Sequence, residues 1–194
     1  MEQNKAIVTF IVICYNEYWE APMFIGAMKC QKDPRFKIIF WHDGPNAKLK
    51  EFIESLTAGD DRFEYRENEQ NLGSWGCWNR IAALQEIDTE YVVQCTIQEY
   101  YLPNAVQEIT KQQGHDIIVW DTIHHSFDYM VLNAELKIKR IDWSNFAIKT
   151  EIAKTVGIKQ PEHYCADGIF IQDCVKSGLL QNNIKLKRMV SIKN

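Results

Sequence analysis

Short apolar runs alternate with helical patterns through the first hundred residues, and this alternation constrains the fold more than any other feature of the chain. The run over 91–95 is apolar and contains β-branched residues, which is typical of a strand buried on both faces. Strands that alternate with helices build a parallel sheet covered on both sides. We therefore predict an α/β fold with a mostly parallel central sheet flanked by helices. The strand patterns cover 6–14, 37–41, 63–66 and 91–95, and the helix patterns cover 21–29, 48–56 and 77–87.

The second half of the chain has a different pattern, with turn signals between its shorter apolar runs. Residues 133–135 are typical of a turn between two strands, so a small antiparallel ribbon is expected there. No repeat, low-complexity segment or linker is evident, so we predict a single domain over residues 1–194. The expected elements are a helix from Pro103 to Gln113, a strand over 116–124, a hairpin of 127–132 with 136–141, helices over 145–156 and 167–177, and a basic strand-like tail over 184–192.

Composition disfavours several partners and indicates a compartment. The formal net charge is −4, which gives no general attraction for nucleic acid or anionic lipid. The apolar run 6–14 is far shorter than the roughly 20 residues of a membrane helix, so no membrane segment is expected. The six cysteines are scattered without a close pair, which favours free thiols in a reducing cytoplasm over disulfides or a zinc site.

Polar side chains follow several predicted strands at the point where each strand ends. Tyr15, Asn16 and Glu17 come after the first strand, and Asp43 comes after the second. The fourth strand opens into a polar loop over 96–101 instead of a tight turn. Open α/β sheets bind ligands outside the carboxyl ends of their strands, so the sequence predicts a site at this edge.

Five loop motifs follow one another along the chain. They are Ile13-Cys14-Tyr15-Asn16-Glu17, His42-Asp43-Gly44, Asn71-Leu72-Gly73 with Asn79, Tyr101-Leu102-Pro103 and Ala166-Asp167-Gly168. Together and in this order they resemble the inverting nucleotide-sugar glycosyltransferases of the GT-A fold, the family 2 type with SpsA-like and polysaccharide-synthase-like members. The resemblance implies a Rossmann-like GT-A sheet, with a nucleotide-binding half over 1–103 and an acceptor and catalytic-base half over 104–194.

The resemblance also implies the class of donor and acceptor. A UDP-sugar is favoured and a dTDP-sugar is the other option, because the position of Asp43 binds uracil in the family. The acceptor offers a hydroxyl, and its identity is left open. A chain of 194 residues has little room for an acceptor-binding extension, so a partner chain or a homo-oligomer is expected to complete that side.

The first two strand ends are expected to hold the nucleobase. Asp43 lies in a Gly-Pro turn, and its carboxylate can accept the imide N–H of uracil or thymine. The alternative is that Asp43 shapes the turn or caps the next helix. Tyr15 can lie against the base with Asn16 and Glu17 on the same rim, or it can pack at the end of its strand.

Small residues with free amides precede the third helix, a geometry that suits contact with phosphate or ribose. Asn71, Gly73 and Asn79 belong to this motif. Arg80 lies one turn into the helix, where it can approach a diphosphate or, alternatively, pair with a surface carboxylate such as Glu86 or Asp88. The chain has no G-x-G-x-x-G and no P-loop lysine, so dinucleotide binding and ATP hydrolysis have no supporting motif.

An inverting transfer needs a carboxylate that takes the proton of the acceptor hydroxyl as that oxygen attacks the sugar. The resemblance assigns this general base to Asp167, which begins a predicted helix beside Gly168. An aspartate at a helix start ordinarily caps free amides. The two roles are compatible in one residue.

One motif departs from the family. Members hold Mn²⁺ or Mg²⁺ against the diphosphate with aspartates after the fourth strand, whereas this chain has Thr96-Ile97-Gln98 there. The family's metal-binding aspartate falls on Gln98, a neutral amide that would then lie near the diphosphate. Three explanations stay open: Glu99 supplies the metal ligand, basic groups and helix amino ends replace the metal, or the protein binds a sugar nucleotide without catalysing transfer.

Two further interpretations have little support in the sequence. Sugar nucleotidyltransferases share the topology, but they carry a Gly-rich basic loop after the first strand, and residues 14–22 contain no Gly, Lys or Arg. His124 and His125 follow a strand, yet no carboxylate spacing completes a ligand set, so we expect solvated side chains with no metal role.

Overall fold

A seven-stranded sheet forms the centre of the computed structural model, which describes residues 5–194. In chain order the strands are β1 (Val8–Cys14), β2 (Phe36–His42), β3 (Phe63–Glu67), β4 (Tyr91–Thr96), β5 (Glu99–Tyr101), β6 (Ile117–Val119), β7 (Thr122–His124), β8 (Met130–Leu132), β9 (Phe146–Lys149), β10 (Asn183–Lys185) and β11 (Ser191–Lys193). The central sheet has the order β10-β6-β9-β4-β1-β2-β3. Neighbours from β4 to β3 are parallel, and β9 is antiparallel to both β4 and β6. The predicted α/β fold is confirmed.

Helices cover both faces of this sheet. They are α1 (Ala21–Lys29), α2 (Ala47–Thr57), α3 (Cys77–Glu86), α4 (Ala105–Thr110), α5 (Thr150–Val156) and α6 (Ala166–Lys176). Successive residues of a strand point to opposite faces, so Phe10 and Ile11 of β1 belong to different core layers. The layer of Phe10 includes residues of α1, α2 and α4, and the layer of Ile11 includes residues of α3, α5 and α6.

A second, four-stranded sheet has the order β5-β11-β7-β8. Strand β11 is antiparallel to β5 and parallel to β7, so the last strand of the chain joins residues that are far apart in sequence. Strand β5 lies within the loop expected over 96–101. The predicted antiparallel ribbon is present as β7 paired with β8.

Two predicted strands are each divided between the two sheets. The strand expected over 116–124 is β6 and β7, and the tail over 184–192 is β10 and β11. The chain changes sheet at Trp120, a fully buried residue whose indole N–H donates to Ser191 Oγ at 2.8 Å. Periodicity indicates extended chain but not the sheet to which it belongs, so the division was not predicted.

The predicted hairpin and one predicted helix are wrong in part. Residues 136–141 form no strand, and β8 pairs instead with β7. Residues 146–149 form β9, because Phe146, Ala147 and Ile148 are all buried and leave no polar face for a surface helix. The helix expected over 145–156 therefore begins only at Thr150.

Candidate active site

The carboxyl ends of β1, β2 and β4 lie side by side. Cys14 is paired in register with His42, and Ile13 is paired with Thr96. The residues that follow these strands therefore meet at one edge of the sheet. This edge brings together the rim around Tyr15, the turn at Asp43 and the loop that contains Gln98.

Asp43 is buried and its carboxylate holds the loop before α3. Its Oδ1 accepts the N–H of Leu72 at 2.8 Å and an amide hydrogen of Asn68 at 3.2 Å, and its Oδ2 accepts the N–H of Gly73 at 2.8 Å. The alternative that Asp43 caps α2 is wrong, because Asn46 accepts the N–H of Leu49 at 3.0 Å in that role. Asp43 thus fixes the backbone around Gly73.

The loop and the Asp43 turn are in close contact. Asn71 is exposed, and its side-chain amide donates to the Asp43 carbonyl at 3.2 Å. Gly44 has a φ of +97°, and a Cβ there would lie 3.1 Å from the backbone nitrogen of Asn71. Glycine is therefore required at this turn for both its conformation and its contact.

Tyr15 forms an exposed aromatic rim above the same turn. Its side chain is 51% exposed, and its ring stacks on His42 with centroids 5.7 Å apart. Glu17 accepts the backbone N–H of Tyr15 at 2.5 Å, and Asn16 contacts Asn46 at 3.4 Å. His42 is buried beneath Tyr15, and its motif in the sequence predicts no role for the imidazole itself.

Asn79 and Arg80 lie on the buried side of α3. Asn79 accepts an amide hydrogen of Asn68 at 2.5 Å, which links α3 to Asp43. Arg80 is only 1% exposed, and its guanidinium carbon lies 5.3 Å from the centre of the Trp143 ring. Its Nε and Nη1 have no hydrogen-bond partner in the described chain.

The expected alternative partners of Arg80 are occupied elsewhere. Glu86 pairs with Arg66, and Asp88 lies 3.6 Å from Lys37. The alternative that Arg80 pairs with a surface carboxylate is therefore wrong. Arg80 is therefore a buried cation that forms no ion pair within residues 5–194.

Asp167 lies in the first turn of α6 and is partly buried. Burial and the nearby Asp142 carboxylate raise the pKa of Asp167 to about 6, against smaller opposing effects of the Gly168 N–H, Lys193 and Arg80. Asp167 accepts the N–H of Gly168 at 2.6 Å, so it also satisfies one amide at the helix start. A carboxylate with this pKa can act as a base near neutral pH.

Contacts link both the Asp43 loop and the start of α6 to the amino-terminal part of α3. Asp43 reaches Asn79 of α3 through Asn68. Trp75, which lies just before α3, contacts Tyr164, which lies just before α6 and Asp167. The two carboxylates singled out from the sequence are therefore each connected to α3 through neighbouring residues.

Aromatic side chains continue this region toward α6. The Trp75 ring contacts Tyr164 edge to face at 5.9 Å, and both side chains are exposed. A cavity of about 410 Å³ lies beside them, lined by Trp78 and residues 159–163. Trp143, by contrast, packs against Phe146 and Phe170 and belongs to the core side of Arg80.

Glu99 is fully buried beneath the loop of Gln98. Its Oε2 accepts the N–H and the hydroxyl of Thr96 at 2.7 and 2.9 Å, and its Oε1 lies 3.4 Å from Lys193 Nζ. Lys193 Nζ also lies 2.9 and 3.1 Å from the two Asp142 oxygens, and Asp142 Oδ2 lies 3.4 Å from His124 Nε2. We call Glu99, Lys193, Asp142 and His124 the buried ionic cluster.

Charges in the buried ionic cluster shift the pKa of its members. Burial alone would lower the pKa of Lys193, but Asp142 and Glu99 raise it well above its usual value. Burial would raise the pKa of Asp142, and Lys193 with hydrogen bonds from His124 and Ser144 holds it well below its usual value. Burial raises the pKa of Glu99 despite Lys193. An ammonium–carboxylate pair between Lys193 and Asp142 is therefore the stable charge state.

The residues after β4 do not fit a divalent metal. Gln98 offers a neutral amide, and Glu99 faces an ammonium group on one oxygen and two hydrogen-bond donors on the other. In residues 5–194 no group of three or more His, Cys, Asp and Glu side chains is arranged to hold a metal ion. His124 is buried next to Asp142, so the expectation that it is solvated is wrong.

Lys193 and Asp142 were not predicted as site residues. Lys193 is paired in register with both Glu99 and His124, and this register depends on the second sheet. The predicted basic strand-like tail over 184–192 ends just before Lys193 and gives no indication of its neighbours.

Two general features concern the cysteines and the helices. The six cysteines are unpaired, and Cys14, Cys77, Cys95 and Cys174 are buried. Across residues 5–194, each helix falls short of the length and hydrophobicity that crossing a lipid bilayer requires.

Comparison with known proteins identifies the family. The model of the family described as "Glycosyl transferase family 2" matches residues 9–174. The chain belongs to this family. A Mycoplasma pneumoniae relative described as an uncharacterized glycosyltransferase, MG025 homolog, is 27% identical over 120 residues, which cover 60% of this chain and 40% of the relative.

Solved structures show the same fold. S. aureus TarS 1-349 in complex with UDP matches with a TM-score of 0.78 at 12% identity, over 95% of this chain and 59% of that one. The mannosyltransferase PcManGT from Pyrobaculum calidifontis, in complex with GDP-Man and Mn²⁺, matches with a TM-score of 0.78 at 12% identity. The match covers 97% of this chain and 57% of that one. The chain thus spans less than two thirds of these relatives. The chain belongs to glycosyltransferase family 2 and has the GT-A fold.

Proposed function

We propose that this chain transfers a sugar from a nucleotide donor to an acceptor hydroxyl with inversion at the anomeric carbon, and that Asp167 is the general base. The observation that carries the proposal is the placement of Asp167 in the first turn of α6, where burial raises its pKa to about 6 and where the preceding Tyr164 contacts Trp75 of the segment before α3. Family membership supports the reaction class, and the residues below supply the individual roles.

Binding of the nucleobase falls to the ends of β1 and β2. Tyr15 offers an exposed ring on which a pyrimidine can stack, and Asn16 and Glu17 border it. Asp43 Oδ2 accepts one hydrogen bond within the chain and retains a lone pair for an imide N–H. A UDP-sugar is the favoured donor, with a dTDP-sugar second.

Binding of the ribose and diphosphate falls to the loop before α3 and to α3 itself. Asp43 fixes the backbone at Gly73, beside the exposed amide of Asn71. Arg80 provides a guanidinium that can pair with phosphate oxygens. Asn79 holds the loop to the helix, and Gln98 follows β4 at the same edge of the sheet.

Asp167 takes the proton in the bond-forming step. The acceptor oxygen attacks the anomeric carbon as the bond from that carbon to the diphosphate oxygen breaks, and the acceptor proton moves to the carboxylate. The bonding electrons leave with the nucleoside diphosphate. A pKa of about 6 keeps Asp167 ionised at neutral pH and still basic enough to receive the proton.

The proposal is tested by donor turnover. Wild-type protein is incubated with a panel of UDP- and dTDP-sugars, with water or added hydroxyl compounds as acceptor, and release of the nucleoside diphosphate is measured. We expect Asp167→Asn to lower turnover by about 100-fold or more, with UDP affinity within a few-fold of wild type. Asp173→Asn, on the same helix, is the control and is expected to retain turnover. Unchanged turnover in Asp167→Asn would remove the assignment.

A second candidate is a sugar-nucleotide-binding protein that does not catalyse transfer. The replacement of the family's metal ligands by Thr96, Ile97 and Gln98 favours it. It differs from the first in one outcome: the nucleotide binds, but no donor of the panel is turned over with any acceptor. The free thiols favour a reducing compartment for either function, and we place the protein in the cytoplasm.

A further inference from the structure

A departing nucleoside diphosphate gathers negative charge, and a positive group must stabilise it. Relatives of this fold can use a metal, as in the mannosyltransferase structure that contains Mn²⁺. In this chain Gln98 is a neutral amide and Glu99 is already engaged by Thr96 and Lys193. The positive charge must therefore come from another source.

We propose that this chain binds its nucleoside diphosphate without a divalent metal, with the Arg80 guanidinium as the counter-charge and the Lys193 ammonium filling the cation position beside Glu99. The proposal rests on the proposed function, because it assumes that a nucleoside diphosphate is the ligand. It goes further by assigning the charge that replaces the metal to particular side chains.

Arg80 is the cation that the fold buries without pairing. Charged side chains that are buried in proteins are almost always paired, because desolvation of a lone charge is costly. Arg80 is 1% exposed, lies against the Trp143 ring and has no ion pair within residues 5–194, and its Nε and Nη1 lack hydrogen-bond partners. A diphosphate supplies the planar pairs of oxygen acceptors that a guanidinium binds best. The missing partner of Arg80 is thus a ligand of this chemistry.

Lys193 is a buried cation that is paired with carboxylates of the protein itself. It lies between Glu99 and His124 in the second sheet and contacts both oxygens of Asp142. Its ammonium balances the two buried carboxylates that a metal would otherwise bind. A divalent cation beside Glu99 would face the ammonium at close range, and like charges in a buried site repel strongly.

Binding of UDP to the full chain tests the two assignments together. Affinity is measured by calorimetry in EDTA and again with Mn²⁺, for wild type, Arg80→Met and the control Arg140→Met, which makes the same change at an exposed position. We expect equal wild-type affinity in both buffers, a loss of at least tenfold in Arg80→Met, and no change in Arg140→Met. UMP should lose less affinity than UDP in Arg80→Met.

A stability measurement separates ligand binding from a structural role of Arg80. If Arg80 serves a ligand, Arg80→Met removes an unpaired buried charge, so its melting temperature without ligand should equal or exceed that of wild type. A lower melting temperature together with unchanged UDP affinity would overturn the assignment. Lys193→Met leaves two carboxylates and His124, so Mn²⁺ is expected to raise the melting temperature of this variant and not that of wild type.

The remaining outcomes distinguish the two proposals. Wild-type binding of UDP that requires Mn²⁺ would overturn metal independence and leave the proposed function standing. Binding in EDTA that is equal in wild type and Arg80→Met would overturn the role of Arg80. Failure of UDP, dTDP and GDP to bind in either buffer would overturn the proposed function and this inference with it.

Discussion

The pKa of Asp167 lies in a range where the pH dependence of turnover can report the ionisation of this carboxyl. Its pKa is raised to about 6, first by burial and then by Asp142. Since the base must be deprotonated, we expect turnover to rise with pH up to about 6 and to level off above it. Asp142→Asn removes the negative neighbour and frees Lys193 from its partner, and both effects lower the pKa of Asp167. The acid limb of a kcat profile should therefore move to lower pH, whereas a base other than Asp167 would leave it in place.

The same shift makes a prediction about stability. A carboxyl whose pKa is raised on folding stabilises the protein below its unfolded pKa, and this contribution is lost as the pH rises through about 6. At pH 7 the ionised Asp167 is thus a cost to the folded state. We expect Asp167→Asn to be as stable as wild type or more stable by about 2 kcal/mol or less, measured by urea unfolding at pH 7. At pH 4 the difference should disappear.

The Asp43 carboxylate stabilises the folded state, whereas the ionised Asp167 carboxylate destabilises it. Its carboxylate accepts three hydrogen bonds within the chain, from Leu72, Gly73 and Asn68. In Asp43→Asn the side-chain NH₂ replaces one carboxylate oxygen and cannot accept a hydrogen bond from the backbone N–H of Leu72 or Gly73. We therefore expect the free energy of unfolding to fall by about 1–3 kcal/mol and UDP binding to weaken. Asp128→Asn, at an exposed position, is the control for urea unfolding. Equal stability of Asp43→Asn and Asp128→Asn would contradict the conclusion that the Asp43 carboxylate holds the loop around Gly73.

At the scale of elements, α6 holds Asp167 through a close contact. A Cβ on Gly168 would lie 2.7 Å from the Cα of Ile138, so the helix must shift away from that segment. We expect Gly168→Ala to lower turnover about 10- to 100-fold, because small displacements of a catalytic group are costly, while UDP affinity is retained. Gly26→Ala, on the exposed side of α1 with open space around it, is expected to be neutral or slightly stabilising. Equal turnover of the two variants would show that the contact does not position Asp167.

Elements that could be predicted from the sequence are those with a complete local signal. The pattern over 21–29 matches α1, and β1 to β4 lie within one or two residues of their predicted bounds, because buried parallel strands and amphipathic helices carry their own periodicity. The polar residues after β1 and β2 were found for the same reason. Strands of three residues in the second half carry no such signal, and their sheet depends on distant partners such as Trp120 and Ser191.

The buried ionic cluster shows the same limit at the site. Glu99 was singled out as a possible metal ligand from its position after β4. Its actual neighbour, Lys193, lies far along the chain in β11, and only the pairing of β11 with β5 brings the two residues together. A sequence pattern gives the charge of a residue but not the partner that neutralises it.

At the scale of the whole molecule, the last four residues close the second sheet and the buried ionic cluster at once. Strand β11 lies between β5 and β7, and Ser191 contacts both Trp120 and Thr122 through its hydroxyl. Deletion of 191–194 removes this strand and leaves Glu99 and Asp142 without their cation. Lys193→Met removes only the cation, so the two variants separate the contribution of strand pairing from that of charge.

We expect Lys193→Met to lose about 3–5 kcal/mol, the cost of leaving a buried carboxylate unpaired. The deletion should lose more, because β5 and β7 also lose their hydrogen-bonded neighbour. Melting temperatures in buffers from pH 4 to pH 8 check both variants. Protonation of Glu99, whose pKa is already raised by burial, should narrow the gap between Lys193→Met and wild type at low pH. The gap between the deletion and Lys193→Met should persist at every pH, since hydrogen bonding between strands does not titrate, and equal stability of the two variants would mean that β11 acts through its lysine alone.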